Sequence, residues 1–404
     1  MGARRGRAYT GVVGLASVAL AATAFTAPAQ ASSGGTGDAP APSGHTATQQ
    51  ALEAIVRGGI PGVTGQAVTR DGVWKGTAGV GNLKTGAPRG AEDRFRIASI
   101  TKTFVATVML QLESEGRLDL DDRVEKWLPG VVRGHGHDGR KITVRQLLNH
   151  TSGVFDFIND PAYGRKYLEP GFLKHRFDTR TPQVAVAAAM ANPPTSAPGT
   201  EYAYSNTNYV LAALIMEEAT GSTYEHEVRE RIIKPLKLRA TVMPGNSSLM
   251  PKPSSRAYSK VTRDPAATRI YDVTLQNASQ TWAEGDMISS AGDLNRFFGA
   301  LMRGKLLSAT QLKAMKTTPP NSDYGLGIER LTASCGTRVW GHGGGWIGSL
   351  SYAMTTEDGS HSFAFNLNGD WSSAGMGEAM EAEFCGPAAD RPTAATTGKP
   401  AGIN

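Results

Sequence analysis

The chain has 404 residues, two cysteines and a formal net charge of +6. That length is ample for a large core and long enough for two lobes. The charge is modest, spread along the chain and without basic blocks interleaved with aromatics, so a nucleic-acid-binding role has no support.

The first residues read as a secretion leader. Arg4, Arg5 and Arg7 form a positive head, an apolar run extends over 11–25, and Ala29-Gln30-Ala31 is a small-x-small cleavage site. The apolar run is short against the roughly 20 residues of a spanning helix, and no later stretch comes close. We therefore expect a signal peptide over 1–31, a secreted, extracellular product and no stable membrane anchor. Residues 32–45 are Ser, Gly, Pro, Ala and Thr with almost no large apolar side chains, and 386–404 have the same character. Such segments cannot bury enough surface to offset chain entropy, which predicts a disordered linker and a disordered tail. The folded domain is expected over 46–385.

Within it, 46–56 has the pattern of a helix packed on a sheet. Two β-rich runs, 63–69 and 73–80, are joined by the turn Arg70-Asp71-Gly72. Ser99 then opens a long helix with apolar positions at Phe104, Val105, Val108, Met109 and Leu112, running toward Leu118. From about 121 to 278, helical patterns (144–148, 182–191, 208–219, 224–233) alternate with Gly- and Pro-marked turns. A helix over 292–302, β-type runs near 338–340, 348–355 and 361–366, and a helix over 374–384 follow. Segregated elements of this kind predict an α+β fold. Its antiparallel sheet, flanked by helices, is formed from both chain ends, and a mostly helical lobe is inserted between them. Ligand clefts often lie between such lobes. Cys335 and Cys385, an even pair in a secreted chain, read as one disulfide.

Three segments carry chemistry. In Ser99-Ile100-Thr101-Lys102 the two functional side chains lie three residues apart and so share a helix face. A serine hydroxyl becomes a useful nucleophile when a neighbouring base takes its proton. A lysine whose pKa is lowered by burial or nearby positive charge can be that base. In Tyr204-Ser205-Asn206, the tyrosine is a proton shuttle if Lys102 lowers its pKa, and Asn206 offers an amide donor and acceptor to a substrate's peptide group. In His342-Gly343-Gly344-Gly345, consecutive glycines permit close approach of backbone to ligand, with N–H groups aimed at a developing oxyanion. His342 adds a polar or cationic group beside that edge. Read singly, these segments are also an ordinary helix, capping residues and a mobile Gly-rich turn. His135-Gly136-His137-Asp138 has metal-ligand spacing without a further ligand pattern and is read as a solvated loop. His226-Glu227 lacks the second histidine of a zinc-protease helix and is read as an exposed face.

In order and spacing, Ser-x-x-Lys, Tyr-x-Asn and His-x-Gly resemble the penicillin-recognising serine enzymes. The likeness is to the branch of class C β-lactamases and secreted D-alanyl-D-alanine carboxypeptidases. The stretches 142–153 and 285–294 are similar as well, and the resemblance covers roughly 51–385. It implies a β-lactamase/DD-peptidase-like fold and a Ser99 acyl-enzyme, with Lys102 and Tyr204 sharing the proton work. It also implies an oxyanion hole from the Ser99 and Gly345 N–H groups, and Asn206 on the acyl-side amide. His342 assists the leaving side, Trp282 lines the cleft, and Gly344 belongs to the third motif. No metal or other cofactor is needed. The activity implied is D-alanyl-D-alanine carboxypeptidase, with transpeptidation, on peptidoglycan stem peptides or other D-amino-acid peptides. β-Lactams would be acylating inhibitors. A β-lactamase or carboxylester hydrolase on the same fold is the alternative, and a non-catalytic β-lactam or peptide sensor is a second. Glu329 stands where the resemblance leads one to expect an arginine for the terminal carboxylate, so either the adjacent Arg330 serves instead or the substrate has no free carboxylate. Ser99→Ala is expected to abolish covalent labelling by a fluorescent penicillin, and persistent labelling on a gel would remove Ser99 from the nucleophile role.

Overall fold

The computed structural model describes residues 44–387, apart from 170 and 263. The expected leader (1–31), the linker up to 43 and the tail beyond 387 lie outside the described residues. Helix α1 (Thr46–Arg57) precedes the hairpin of β1 (Gly62–Thr69) and β2 (Gly72–Gly79). A 3₁₀ turn, Ala98–Ile100, leads into α2 (Thr101–Ser114), and the longest helix of the helical region is α3 (Asn206–Thr220). There follow α4 (Ala291–Met302), β3 (Glu329–Thr332), β4 (Arg338–Trp346), β5 (Ser349–Thr356), β6 (Ser362–Leu367) and α5 (Met376–Cys385). The six-stranded sheet has the order β2-β1-β6-β5-β4-β3, and all its pairs are antiparallel. The two chain ends meet at β1 and β6, where Val63 faces Leu367 and Gly65 faces Phe365. This is the predicted α+β plan. Among the described residues no helix is long and apolar enough to cross a membrane.

The sheet separates two cores because side chains alternate along each strand. Phe363, Phe365 and Leu367 of β6 pack with Leu52 and Ile55 of α1 and with Met376, Ala379 and Phe384 of α5. Ala364, between them, faces a larger core that holds Phe104 of α2 and Leu294, Phe297 and Phe298 of α4. The Phe104 and Phe297 rings stack at 3.8 Å. Helix α2 is buried at every position from Thr101 to Leu110 and again at Leu112, so it runs through the interior and not along a surface. It stops at Ser114, short of the predicted Leu118. Gly116 takes φ +69 there, and Arg117 N–H bonds back to Leu112 O at 3.0 Å. That left-handed closure is a glycine signal that outranks the apolar periodicity.

Strand β4 is longer than the 338–340 run read from β-propensity. It pairs with β5 from Val339↔Thr356 to Trp346↔Ser349, so the glycine-rich segment is strand and not a mobile turn. His137, read as part of a solvated loop, is buried, with Nε2 3.1 Å from the Asn192 carbonyl. Glu227, read as exposed, is buried and pairs with Arg231. His45, assigned to the linker, is anchored. Its Nδ1 lies 2.9 Å from Glu383 Oε2.

Two ties hold the C-terminal helix. Cys335 and Cys385 form a disulfide with Cα atoms 5.6 Å apart, linking the β3–β4 turn to the end of α5. Closing a loop of that length stabilises by roughly 4 kcal/mol on the chain-entropy model. The Glu383 side chain, 1% exposed, meets His45, His361 Nε2 (2.6 Å) and Thr48 Oγ1 (2.8 Å). Burial alone would raise its pKa, but the hydrogen bonds from His361, His45 and Thr48 outweigh burial and hold it below the usual glutamate value. A depressed folded pKa contributes stability above the unfolded value, about 4.3, and that stability is lost as pH falls through the folded pKa. Glu383→Gln is therefore expected to cost about 1–3 kcal/mol in urea unfolding at pH 7. The deficit should shrink as pH falls below about 4; an undiminished deficit there would contradict the linkage.

Candidate active site

Ser99 sits in the middle of the 3₁₀ turn, just ahead of the helix it was predicted to open. Ala98 beside it takes φ +46, a strained value for alanine. Lys102, one turn further on, points its Nζ back to within 2.9 Å of Ser99 Oγ. The lysine is fully buried. Its Nζ also donates to Asn206 Oδ1 and to the Glu284 carbonyl, both at 2.8 Å, and lies 3.4 Å from Glu284 Oε2. An ammonium has three protons, and the three short contacts match them. Burial lowers the Lys102 pKa, while the charges of Glu284 and Asp156 oppose that fall. A lysine so placed can accept a proton from the serine beside it.

Tyr204 lies just before α3. It shares a hydrogen bond with the Ser99 hydroxyl, and Lys102 Nζ is 5.2 Å from its ring centroid. The sequence makes the tyrosine a proton shuttle on the condition that Lys102 lowers its pKa. The structure reverses this, because burial holds it well above the ordinary value. The Ser99 hydrogen bond opposes burial only in part, and the negative charges of Glu284, Asp156 and Glu329 add to it. Tyr204 is thus a neutral O–H relay. Behind it, His150 accepts from Ser205 N–H (3.2 Å) and lies 3.1 Å from Asn208 Nδ2, with its ring 4.1 Å from that of Tyr204. Burial, then the charge of Lys102, holds the His150 pKa far below its usual value, so the ring is neutral.

Asn206 opens α3. Its Oδ1 accepts from Lys102, and its Nδ2 donates to Asp156 Oδ2 at 3.1 Å. The amide that the sequence assigns to a substrate therefore also holds the lysine. Asp156 is itself buried, and that burial, with the charge of Glu284, pushes its pKa up to about 7. Trp282 belongs to the 3₁₀ turn Trp282–Glu284 that brings Glu284 to the lysine. Its ring meets Tyr224 edge-on at 5.3 Å.

The third side is the edge of β4. A side chain at Gly344 would put its Cβ 2.1 Å from the Ile97 carbonyl, so only glycine lets the serine turn lie against this strand. His342 is buried, with Nε2 2.8 Å from the Tyr324 hydroxyl. Burial and the Lys102 charge bring its pKa down to about 3, so it is neutral and not cationic. Strand β3 covers β4 only as far as Gly341, opposite Glu329. Beyond that point Gly343 N–H leaves the edge and donates to Glu329 Oε1 at 2.7 Å. Gly345, two residues on, directs its N–H the same way, which suits the oxyanion role assigned to it with Ser99. Arg330 is not in the site, because its Nη2 pairs with Asp323 Oδ1 at 2.5 Å on the surface. Asp156, Glu284 and Tyr324 carry no motif of their own and enter only through folding, while His150 lies in the family-like stretch 142–153 without a role assigned to it there. Among the described residues, no group of three or more His, Cys, Asp or Glu side chains is arranged to hold a metal ion.

A serine beside a buried lysine and a tyrosine relay, at a free strand edge in this α+β frame, defines a serine hydrolase that works by acyl transfer. The chain belongs to the beta-lactamase family, whose model matches residues 46–379. Among solved structures it is similar to a D-stereospecific amidohydrolase from Streptomyces sp. The two share 54% sequence identity with a TM-score of 0.81, over 85% of this chain and 100% of that one. It is also similar to a D-amino acid amidase from Ochrobactrum anthropi SV3 crystallised with D-phenylalanine, at 26% identity and a TM-score of 0.70, over 83% and 97% of the two chains. Penicillin-binding protein 4* of Bacillus subtilis is 29% identical over 63% of this chain and 56% of its own length. The chain spans about half the length of the curated relatives it matches.

The charge of Glu284 raises the Lys102 pKa, so removing it lets that pKa fall further. Glu284→Gln is therefore expected to move the acid limb of the acylation pH profile to lower pH, as read from penicillin acylation rates. A move to higher pH would contradict the assignment of Lys102 as base.

Proposed function

We propose that the protein is a serine amidohydrolase that cleaves D-aminoacyl amides and short D-peptides through a Ser99 acyl-enzyme. The observation that carries this reading is the fully buried Lys102 amino group 2.9 Å from Ser99 Oγ. Ser99 Oγ attacks the amide carbonyl as its proton passes to the neutral amine form of Lys102, which burial makes accessible. The Ser99 and Gly345 N–H groups hold the oxyanion. The C–N bond then breaks, and the leaving nitrogen takes a proton relayed from Lys102 through the Tyr204 hydroxyl. Water attacks the resulting ester with the same base and frees Ser99. Asp156 and Glu284, against the single positive charge of Lys102, leave the acyl side with a net negative field when both are ionised, which suits a free α-amino group. The D-stereospecific amidohydrolase and D-amino acid amidase named above support the D configuration.

The D-alanyl-D-alanine carboxypeptidase reading has support from the penicillin-binding relatives, and peptidoglycan stem peptides would be its substrates. It needs a cation for the terminal carboxylate, and the pairing of Arg330 with Asp323 leaves that cation engaged elsewhere. β-Lactams would acylate Ser99 on either reading. The leader-like N-terminus supports an extracellular site of action. A panel of D- and L-phenylalanine amide, a D-Ala-D-Ala peptide, nitrocefin and a p-nitrophenyl ester tests the choice. Turnover should be highest for the D-amide, and Ser99→Ala should lower it by on the order of 10⁶. Faster turnover of the D-Ala-D-Ala peptide or of nitrocefin would replace this reading.

A further inference from the structure

We propose that Glu329 selects the leaving and entering groups of the acyl transfer, admitting neutral or cationic amines and rejecting those that carry a carboxylate. The inference rests on the reading of Ser99 as the acylated nucleophile. Tyr204 delivers the proton to the departing nitrogen, so the leaving group lies on its side of the cleft. Glu329 is near enough for its charge to act on Tyr204, and it stands where β3 ends, its Oε1 accepting at 2.7 Å from the first N–H of the β4 edge without a β3 partner, that of Gly343. Gly345, which directs its N–H at the oxyanion, is two residues on, about 7 Å along the strand. A group leaving the carbonyl therefore departs past the Glu329 carboxylate.

The side chains that feel this carboxylate are Tyr202 and Tyr204 before α3 and Tyr352 on β5. All three are neutral phenols. His342 on β4 is neutral as well, and Arg330 on β3 is paired with Asp323. Glu329 keeps some solvent exposure, so a ligand can reach it. Its carboxyl is nonetheless desolvated in the cleft wall, which pushes its pKa up to about 7 against the Gly343 hydrogen bond. The carboxylate form, and with it the rejection of anions, grows as pH rises through that value.

Acceptors bind where leaving groups depart, by microscopic reversibility. The test is therefore partition of the acyl-enzyme, formed from D-phenylalanine amide and, separately, from p-nitrophenyl acetate, among water, D-alanine, D-alaninamide and 1,2-diaminopropane. At pH 8, with each rate taken per unit of unprotonated amine, the wild type should capture D-alaninamide and the diamine at least roughly tenfold better than D-alanine. The ratio should narrow at pH 6. Glu329→Gln should collapse it at both pH values, Glu329→Asp should retain it, and Glu329→Arg should invert it. Equal capture by the wild type, no capture of any amine, or an unchanged ratio in Glu329→Gln would overturn the proposal. Failure with the D-amide donor alone, while acetyl-enzyme partition follows charge, would instead overturn the D-amidohydrolase reading and leave Glu329 in its role.

Discussion

The arrangement depends on one buried ammonium. Removing a lysine from water is costly unless every proton finds an acceptor. Lys102 finds its acceptors on three parts of the chain, one local and two distant: Ser99 one turn back, Asn206 at the start of α3, and the Glu284 carbonyl in the loop before α4. Satisfying the charge therefore docks the helical region and the sheet region against the serine turn. The same burial that makes these contacts obligatory lowers the lysine pKa, so the interaction that organises the fold also prepares the base.

Around this charge the site is kept mostly neutral. Burial strips the positive form from His150 and His342 and the negative form from Tyr204. Groups that look ionisable on paper thus act as hydrogen-bond partners and relays. The remaining negative potential comes from Asp156, Glu284 and Glu329, which flank the lysine and the strand edge. The chemistry belongs to the serine turn. The choice of substrate is left to these carboxyls, whose influence reaches several ångströms in a cleft of low polarity.

Much of the architecture was legible because local patterns and global packing agree. The β1–β2 hairpin has its turn residues between two apolar runs, and α4 has an apolar stripe facing the sheet. The misreadings occurred where a tertiary partner overrode a local preference. Helix α2 is buried on all sides, so its stripe carried no information about where it ends, and Gly116 set that point. The glycines of 343–345 read as a turn, yet they form strand because β5 pairs along them and the Ile97 carbonyl needs the space at Gly344. His137 and His45 looked solvated until Asn192 and Glu383 supplied their partners.

Residue type and spacing were enough for Ser99, Lys102, Tyr204, Asn206 and the His342–Gly345 edge, because each motif is local and its chemistry follows from the side chains it contains. Protonation states and partners are properties of the assembled site. The neutrality of Tyr204 and His342, the double engagement of Asn206, the arrival of Asp156 and Glu284 at Lys102, and the hold of Glu329 on the Gly343 N–H at the strand edge all depend on distances between segments far apart in the chain. Desolvation and Coulomb energy are set by those distances, and a linear pattern does not carry them.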